Sequence, residues 1–292
     1  MDCAQWYERG FYREVNGLRV FVRREGLGET LLCIHGFPTS SWDYAPLWPH
    51  LVGRFDVVAF DLIGLGRSSK PKQSLPVSLQ ADIIESLLGT FGIEDAHILA
   101  HDLGDTIAQE LLARNAEGMS SIAWRSCIFL NGGIFPEVHR PRLIQKLLLS
   151  PFGSFVAKLT SEKTFGRTMK KIFGKEHPPT EEFISASWQL LIEEGGAGMM
   201  PRLIRYMNER WEHRDRWVSP LEKATVPLRL INGIQDPVSG LHAATYYKEL
   251  VPDADVLLLE NAGHYPHVET PEEVWVGILE FHARQPGNRI YN

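Results

Sequence analysis

The sequence has only three cysteines, Cys3, Cys33 and Cys127, an odd number at wide spacing, and the last two lie inside apolar runs. That argues against a disulfide framework or a cysteine-ligated zinc site and leaves reduced packing residues. No stretch approaches the roughly 18–20 apolar residues that span a bilayer, and the opening MDCAQWYERGFYREVNGLRV has no cationic segment followed by an apolar core. A basic excess is missing too. Against 30 Lys and Arg stand 36 Asp and Glu, a net charge of −6, which provides no global field for nucleic acid. Repeats and low-complexity tracts are also lacking. The expectation is a cytoplasmic protein that binds neither nucleic acid nor membrane.

What is present suits a large α/β core. A chain of 292 residues can bury roughly three quarters of the surface its unfolded form exposes. Asn16-Gly17 between two short runs signals a hairpin, because both residues tolerate positive φ. The runs LLCI (31–34), VVAFDL (57–62), HILAHD (97–102), CIFLNG (127–132), LRLING (228–233) and VLLLEN (256–261) are almost continuously apolar, as strands buried on both faces are. Helical spacing over 79–91, 106–114 and 271–284 separates several of them, which predicts right-handed crossovers and a mostly parallel, twisted sheet flanked by helices. The alternation stops between about 134 and 219, where helix-like pieces sit among breakers such as HPPT and GGAG. This segment reads as an inserted helical lid (134–219) on a core formed by 1–133 and 220–292. The lid carries 14 Lys and Arg against 10 Asp and Glu, an excess that self-solvating helices explain, so no ligand charge is read from it.

In an open parallel sheet, ligands lie beyond the carboxyl ends of the strands. Four turns there carry candidate chemistry. Ala100-His101-Asp102-Leu103-Gly104 has small residues at both ends, which lets a strand fold sharply into a helix and pushes the central side chain outward. Asp102 at that position is either a nucleophile or an ordinary helix cap. His35-Gly36-Phe37-Pro38 follows the first parallel strand, and the backbone N–H of Phe37 could join that of Leu103 in an oxyanion hole. Asp236 follows the strand 228–233, and NAGHYPH offers His264 and His267, between which spacing does not choose. The order nucleophile, acid, histidine, each after a different strand, is that of α/β-hydrolase triads.

Over nearly its whole length the chain resembles the α/β-hydrolase superfamily. HGFPTSSWDY, DLIGLGRSSKP, AHDLGDTIAQEL, GIQDP and NAGHYPHVETPEE are similar to the epoxide hydrolase and haloalkane dehalogenase branch, whose members use an Asp nucleophile. NGGIFPEVHRPRLIQKLL and the elbow with Asp105 resemble, more narrowly, the mesoderm-specific transcript protein-like hydrolases. The resemblance implies Asp102 as nucleophile, Asp236 as acid and His264 as base, with His267 structural and neither metal nor organic cofactor required. It also implies an apolar epoxide as substrate, with a haloalkane as the alternative. Dehalogenases usually hold the halide with a Trp after the nucleophile and an Asn after the HG turn or a lid Trp. Here those first two positions are Leu103 and Phe37, leaving Trp188, Trp211 or Trp217 as lid indoles. Epoxide hydrolases polarise the ring oxygen with two lid tyrosines. RYMNERWEHRDRW (205–217) resembles the segment carrying the second, which makes Tyr206 that donor, and no tyrosine lies between Tyr44 and Tyr206 to serve as the first. His139 and His177 are the replacements considered. His35, His101 and Trp188 complete the expected substrate-contacting set. A fluoroacetate-type reaction would want arginines at the elbow, and the nearest in the chain, Arg114, lies about three turns up the helix. A ligand-binding protein on a hydrolase scaffold is the competing class, and monomer and homodimer are both left open.

Overall fold

The computed structural model describes residues 1–285. A capped helix α1 (Cys3–Glu8) precedes the hairpin of β1 (Phe11–Val15) and β2 (Leu18–Glu25). Asn16 (φ 52°) and Gly17 (φ 74°) make its two-residue turn, the left-handed pair that matches strand twist. Then come β3 (Thr30–Ile34), α2 (Trp48–Val52), β4 (Asp56–Phe60), α3 (Val77–Thr90), β5 (Asp95–His101), α4 (Leu103–Ala116) and β6 (Ala123–Leu130). After a helical insertion the sheet resumes with β7 (Leu228–Gly233) and β8 (Val256–Leu259). The eight strands form one sheet in the order β1-β2-β4-β3-β5-β6-β7-β8, parallel from β4 to β8, with β2 antiparallel to β4. From Ala96 to His101 β5 is buried, as is all of β7, because helices cover both faces.

The sheet positions the chemistry through one reversal. The chain passes from β3 to β4 on one side, then returns to place β5 on the other side of β3. With Ile34 in register with Ala100, the loops leaving β3 and β5 emerge side by side.

Between β6 and β7 the chain runs through α5 (Leu143–Leu149), α6 (Gly153–Leu159), α7 (Glu162–Ile172), α8 (Glu181–Ile192), α9 (Met200–Leu203), α10 (Tyr206–Glu212) and α11 (Arg214–Glu222). The last two are pinned to the core helix α4. Gln109 donates to the Trp217 carbonyl at 3.1 Å, and Trp217 Nε1 donates to Glu110 at 2.8 Å. The core closes with α12 (Leu241–Leu250), α13 (Pro266–Glu269) and α14 (Pro271–Ala283). Among the described residues no helix is long and apolar enough to cross a membrane.

Candidate active site

Asp102 ends β5 and begins α4 with φ 51° and ψ −105°, a left-handed conformation that a non-glycine residue adopts only where its surroundings enforce it. Two glycines permit it by close approach. A Cβ on Gly104 would lie 2.2 Å from the Ile34 carbonyl oxygen, and one on Gly36 would lie 2.6 Å from Asp102 Cβ. The cap alternative has no support, since the Asp102 side chain caps no helical N–H. Instead Oδ1 accepts from the Phe37 backbone N–H at 3.0 Å, while Oδ2 lies 3.6 Å from His264 Nε2. Of the two expected oxyanion donors, only Phe37 is hydrogen-bonded to the resting carboxylate; Leu103 opens the first turn of α4 beside it.

His264 Nδ1 lies 2.8 Å from Asp236 Oδ2. The acid is itself held by the Val238 and Ser239 N–H groups, the Ser239 hydroxyl and Asn131 Nδ2. The histidine loop is tied down by Glu269, which accepts from the N–H groups of Gly174, Gly263 and Tyr265. Burial works against every charge here, but the charges are mutually compensating. For Asp102, burial is outweighed by His264 and Arg210, which hold the carboxyl below its usual range. Burial also opposes ionisation of Asp236, and His264 and the donors just named still keep it low. Burial would depress His264, yet the two carboxylates raise it to about 10. All three shifts favour the charged forms, with the histidine cationic between two carboxylates.

Beneath these groups lies a neutral layer. His101 Nε2 donates to the His264 carbonyl at 2.8 Å, and one ring nitrogen each of His101 and His267 and an Asp43 oxygen come within 4.8 Å of one another. Burial lowers His101 to about 3 and pushes His267 well below and Asp43 well above their ordinary values. Asp105, under the elbow, is likewise raised by burial and by Asp102.

The expected substrate-contacting residues divide. Tyr206 is buried, with its hydroxyl 3.5 Å from Asp102 Oδ1. His35 and His101 are corrections: His35 is fully buried, its Nδ1 donating to the Gly36 carbonyl and its Nε2 accepting from the Leu62 N–H. Both histidines bind backbone groups and hold loops in place. Trp188 is a third correction, because it packs on Phe165 one layer behind the cavity wall. His177 is exposed elsewhere, whereas His139 is half-buried, with both ring nitrogens shielded, beside Arg210.

Sequence reasoning missed Arg210. Arg114, the arginine it weighed, is engaged with Asp82, Glu85 and Glu110. Arg210 instead reaches from the lid to the elbow. Its Nε donates to Thr106 Oγ1 at 2.8 Å, its Nη2 approaches the Asp102 carbonyl at 3.3 Å, and its guanidinium lies 4.6 Å from the Tyr206 ring centre. The available signal was its place four residues after Tyr206, which puts both on one face of α10. A cavity of about 120 Å³ adjoins the triad, floored by Phe37 and His264 and walled by Ile144, Leu148, Phe165 and Met169. Its apolar walls suit a hydrocarbon ligand.

The family model "Alpha/beta hydrolase family" matches residues 31–275. The chain is 36% identical over 282 residues to the mesoderm-specific transcript protein of Mus musculus, covering 91% of this chain and 83% of that one. It is 35% identical over 274 residues to the putative hydrolase LipZ of Mycobacterium tuberculosis (strain CDC 1551 / Oshkosh), covering 93% and 94%. Among solved structures, a haloalkane dehalogenase DbeA loop variant from Bradyrhizobium elkanii superposes with a TM-score of 0.79 at 22% identity, covering 94% and 97%. The epoxide hydrolase CorEH gives a TM-score of 0.77 at 20% identity, covering 94% and 98%, and at these identities the likeness is one of fold. Sheet order, elbow and these matches agree: the chain belongs to the alpha/beta hydrolase family.

Proposed function

We propose that this hydrolase uses Asp102 as a nucleophile to form and then hydrolyse an alkyl ester on the enzyme, with a small or medium apolar epoxide as substrate. The observation that carries this reading is the division of the Asp102 carboxylate, with Oδ1 held by the Phe37 N–H and Oδ2 facing His264. A serine at an elbow suits acyl carbon, whereas a carboxylate suits saturated carbon, because the ester it forms has its own carbonyl open to hydrolysis.

In the first step Oδ2 attacks a ring carbon from behind. The C–O bond breaks and its electron pair goes to the ring oxygen, which takes up a proton. The Tyr206 hydroxyl, beside the carboxylate, is the hydrogen-bond donor for that oxygen. Charge balances within the site, since the proton gained by the alkoxide is matched by the one His264 releases as its neighbour Asp102 becomes a neutral ester. In the second step neutral His264, oriented by Asp236, takes a proton from water as that water attacks the Asp102 carbonyl carbon. Negative charge develops on Oδ1, where the Phe37 N–H already points. Collapse expels the diol and restores the carboxylate and imidazolium.

Halide displacement would use the same nucleophile, but the lid indoles are otherwise engaged. Trp217 Nε1 is bound to Glu110, Trp211 is 60% exposed, and Trp188 stands behind Phe165. A panel of apolar epoxides, simple haloalkanes and esters tests the reading. Diol formation from epoxides without halide release is expected. Halide release alone would move the substrate class to haloalkanes, and tight binding without turnover of any of the three would favour a binding protein.

A further inference from the structure

The first half of the lid has an outer surface that the reaction does not use. Fourteen large hydrophobic side chains are exposed among the described residues, and five of them fall within 143–159: Leu143 (72%), Leu147 (42%), Phe152 (72%), Phe155 (63%) and Leu159 (65%). Scattered exposed apolar residues are ordinary, but a cluster is not. Leu143 and Leu147 are four apart on α5, and Phe152, Phe155 and Leu159 follow the i, i+3, i+7 spacing of one face along α6. The opposite face of α5 is apolar too, since Ile144 and Leu148 wall the cavity. Helix α5 is thus greasy on both sides, one toward the cavity and the other toward solvent, and α6 extends the exposed side.

Charge around this patch runs against that of the chain. Residues 140–171 hold eight Lys and Arg and one acid, Glu162, within a protein of net charge −6. Lys146, Lys158, Lys163 and Arg167 are exposed, and none has a carboxylate within ion-pair distance among the described residues. Arg142, also without such a partner, lies in the wall of the cavity itself. Two of these cations, Lys146 on α5 and Lys158 on α6, share their helices with the exposed apolar side chains, and apolar side chains interspersed with unpaired cations are the chemistry that seats peripheral proteins on anionic lipid.

We propose that α5 and α6 dock the lid on an anionic lipid bilayer, so that the cavity takes its substrate from the membrane, an apolar-chain molecule dissolved in lipid. The docking stands on the patch and its charge alone; the delivery of substrate rests on the activity proposed above. Docking is peripheral and needs no spanning helix. It replaces the expectation of no membrane partner, which followed from the lack of a long apolar run and gave the lid cations no role.

Flotation of the full chain with vesicles of phosphatidylcholine and phosphatidylserine, compared with phosphatidylcholine alone, tests this. Binding to the anionic vesicles, weakened by added salt, is expected. Lys146→Glu with Lys158→Glu should weaken it by at least about 25-fold, taking about fivefold per cation near an anionic surface. Phe152→Ser with Phe155→Ser should abolish it while turnover of a water-soluble substrate is unchanged. No flotation, or flotation indifferent to both pairs of substitutions, would overturn the proposal. So would a concentration-dependent dimer that the aromatic pair abolishes in the absence of lipid binding, since the patch would then join two copies. Asp102→Asn should float like the unaltered protein, so vesicle binding without any epoxide turnover would count against the activity and not against docking.

Discussion

The backbone N–H of Phe37 lies 3.0 Å from Asp102 Oδ1, which fixes one oxygen of the carboxylate and leaves the other facing His264. The donor is main chain, so it survives substitution of the Phe37 side chain. The ring itself floors the cavity and lies 6.3 Å from that of Tyr206. Phe37→Ala should therefore shift preference among substrates of different size more than it slows ester hydrolysis. Single-turnover rates for the two steps check this, and a selective loss of hydrolysis would contradict it.

Tyr206→Phe removes one buried hydroxyl at almost constant volume. As the donor to the opening ring it should slow alkylation by about 10²-fold or more, the usual effect of deleting such a donor, and spare hydrolysis. The same hydroxyl is 3.5 Å from Oδ1, so a loss confined to hydrolysis would instead assign it to the oxyanion.

Arg210 joins lid to elbow while supporting the Asp102 charge. Arg210→Met keeps the bulk but removes the charge and its hydrogen bonds, at about 2 kcal/mol or more. Thermal unfolding should occur several degrees lower. Asp102 must be ionised to attack and its carboxyl is depressed in part by Arg210, so alkylation should fail at a higher pH on the acid side than in the unaltered enzyme. An unmoved acid limb would separate Arg210 from the electrostatics of the nucleophile.

His264 is raised to about 10 by two carboxylates acting against burial. A histidine raised in the folded state contributes stability that is full below its unfolded value of about 6.5 and is lost as pH climbs through its folded value. His264→Gln should accordingly flatten the decline of melting temperature between neutral pH and pH about 10. Asp102→Asn mimics the neutral ester and should lower the His264 pKa. Nuclear magnetic resonance titration of the imidazole measures it, and an unchanged value would remove the switch from acid to base on which the two-step scheme depends.

Most of the fold was legible because each buried parallel strand is an apolar run, and the place of the candidate site was legible because its residues follow those runs. Asp102, Asp236 and His264 come from three separate strand ends, and the sheet order brings them together. The helix expected over 106–114 starts at Leu103, directly after the elbow, since local spacing does not reveal so sharp a turn. Arg210 was hidden because its burial depends on Thr106, 104 residues away. His35 and His101 were misassigned for a related reason. In sequence His101 precedes Asp102 and His35 precedes the Gly36-Phe37 turn, yet their partners are backbone groups of Gly36, Leu62 and His264, which only the folded chain supplies.

The central claim is the ester on Asp102. With His264 replaced by Gln, alkylation proceeds without a base while hydrolysis does not, so the peptide containing Asp102 should accumulate an adduct heavier by the mass of the added epoxide. In the unmodified enzyme, one turnover in ¹⁸O-water should leave the label on Asp102 and none in the diol, whose new oxygen comes from the carboxylate. Label in the first-turnover diol, with no adduct in the His264→Gln protein, would mean that water attacks the substrate directly and that Asp102 is not the nucleophile.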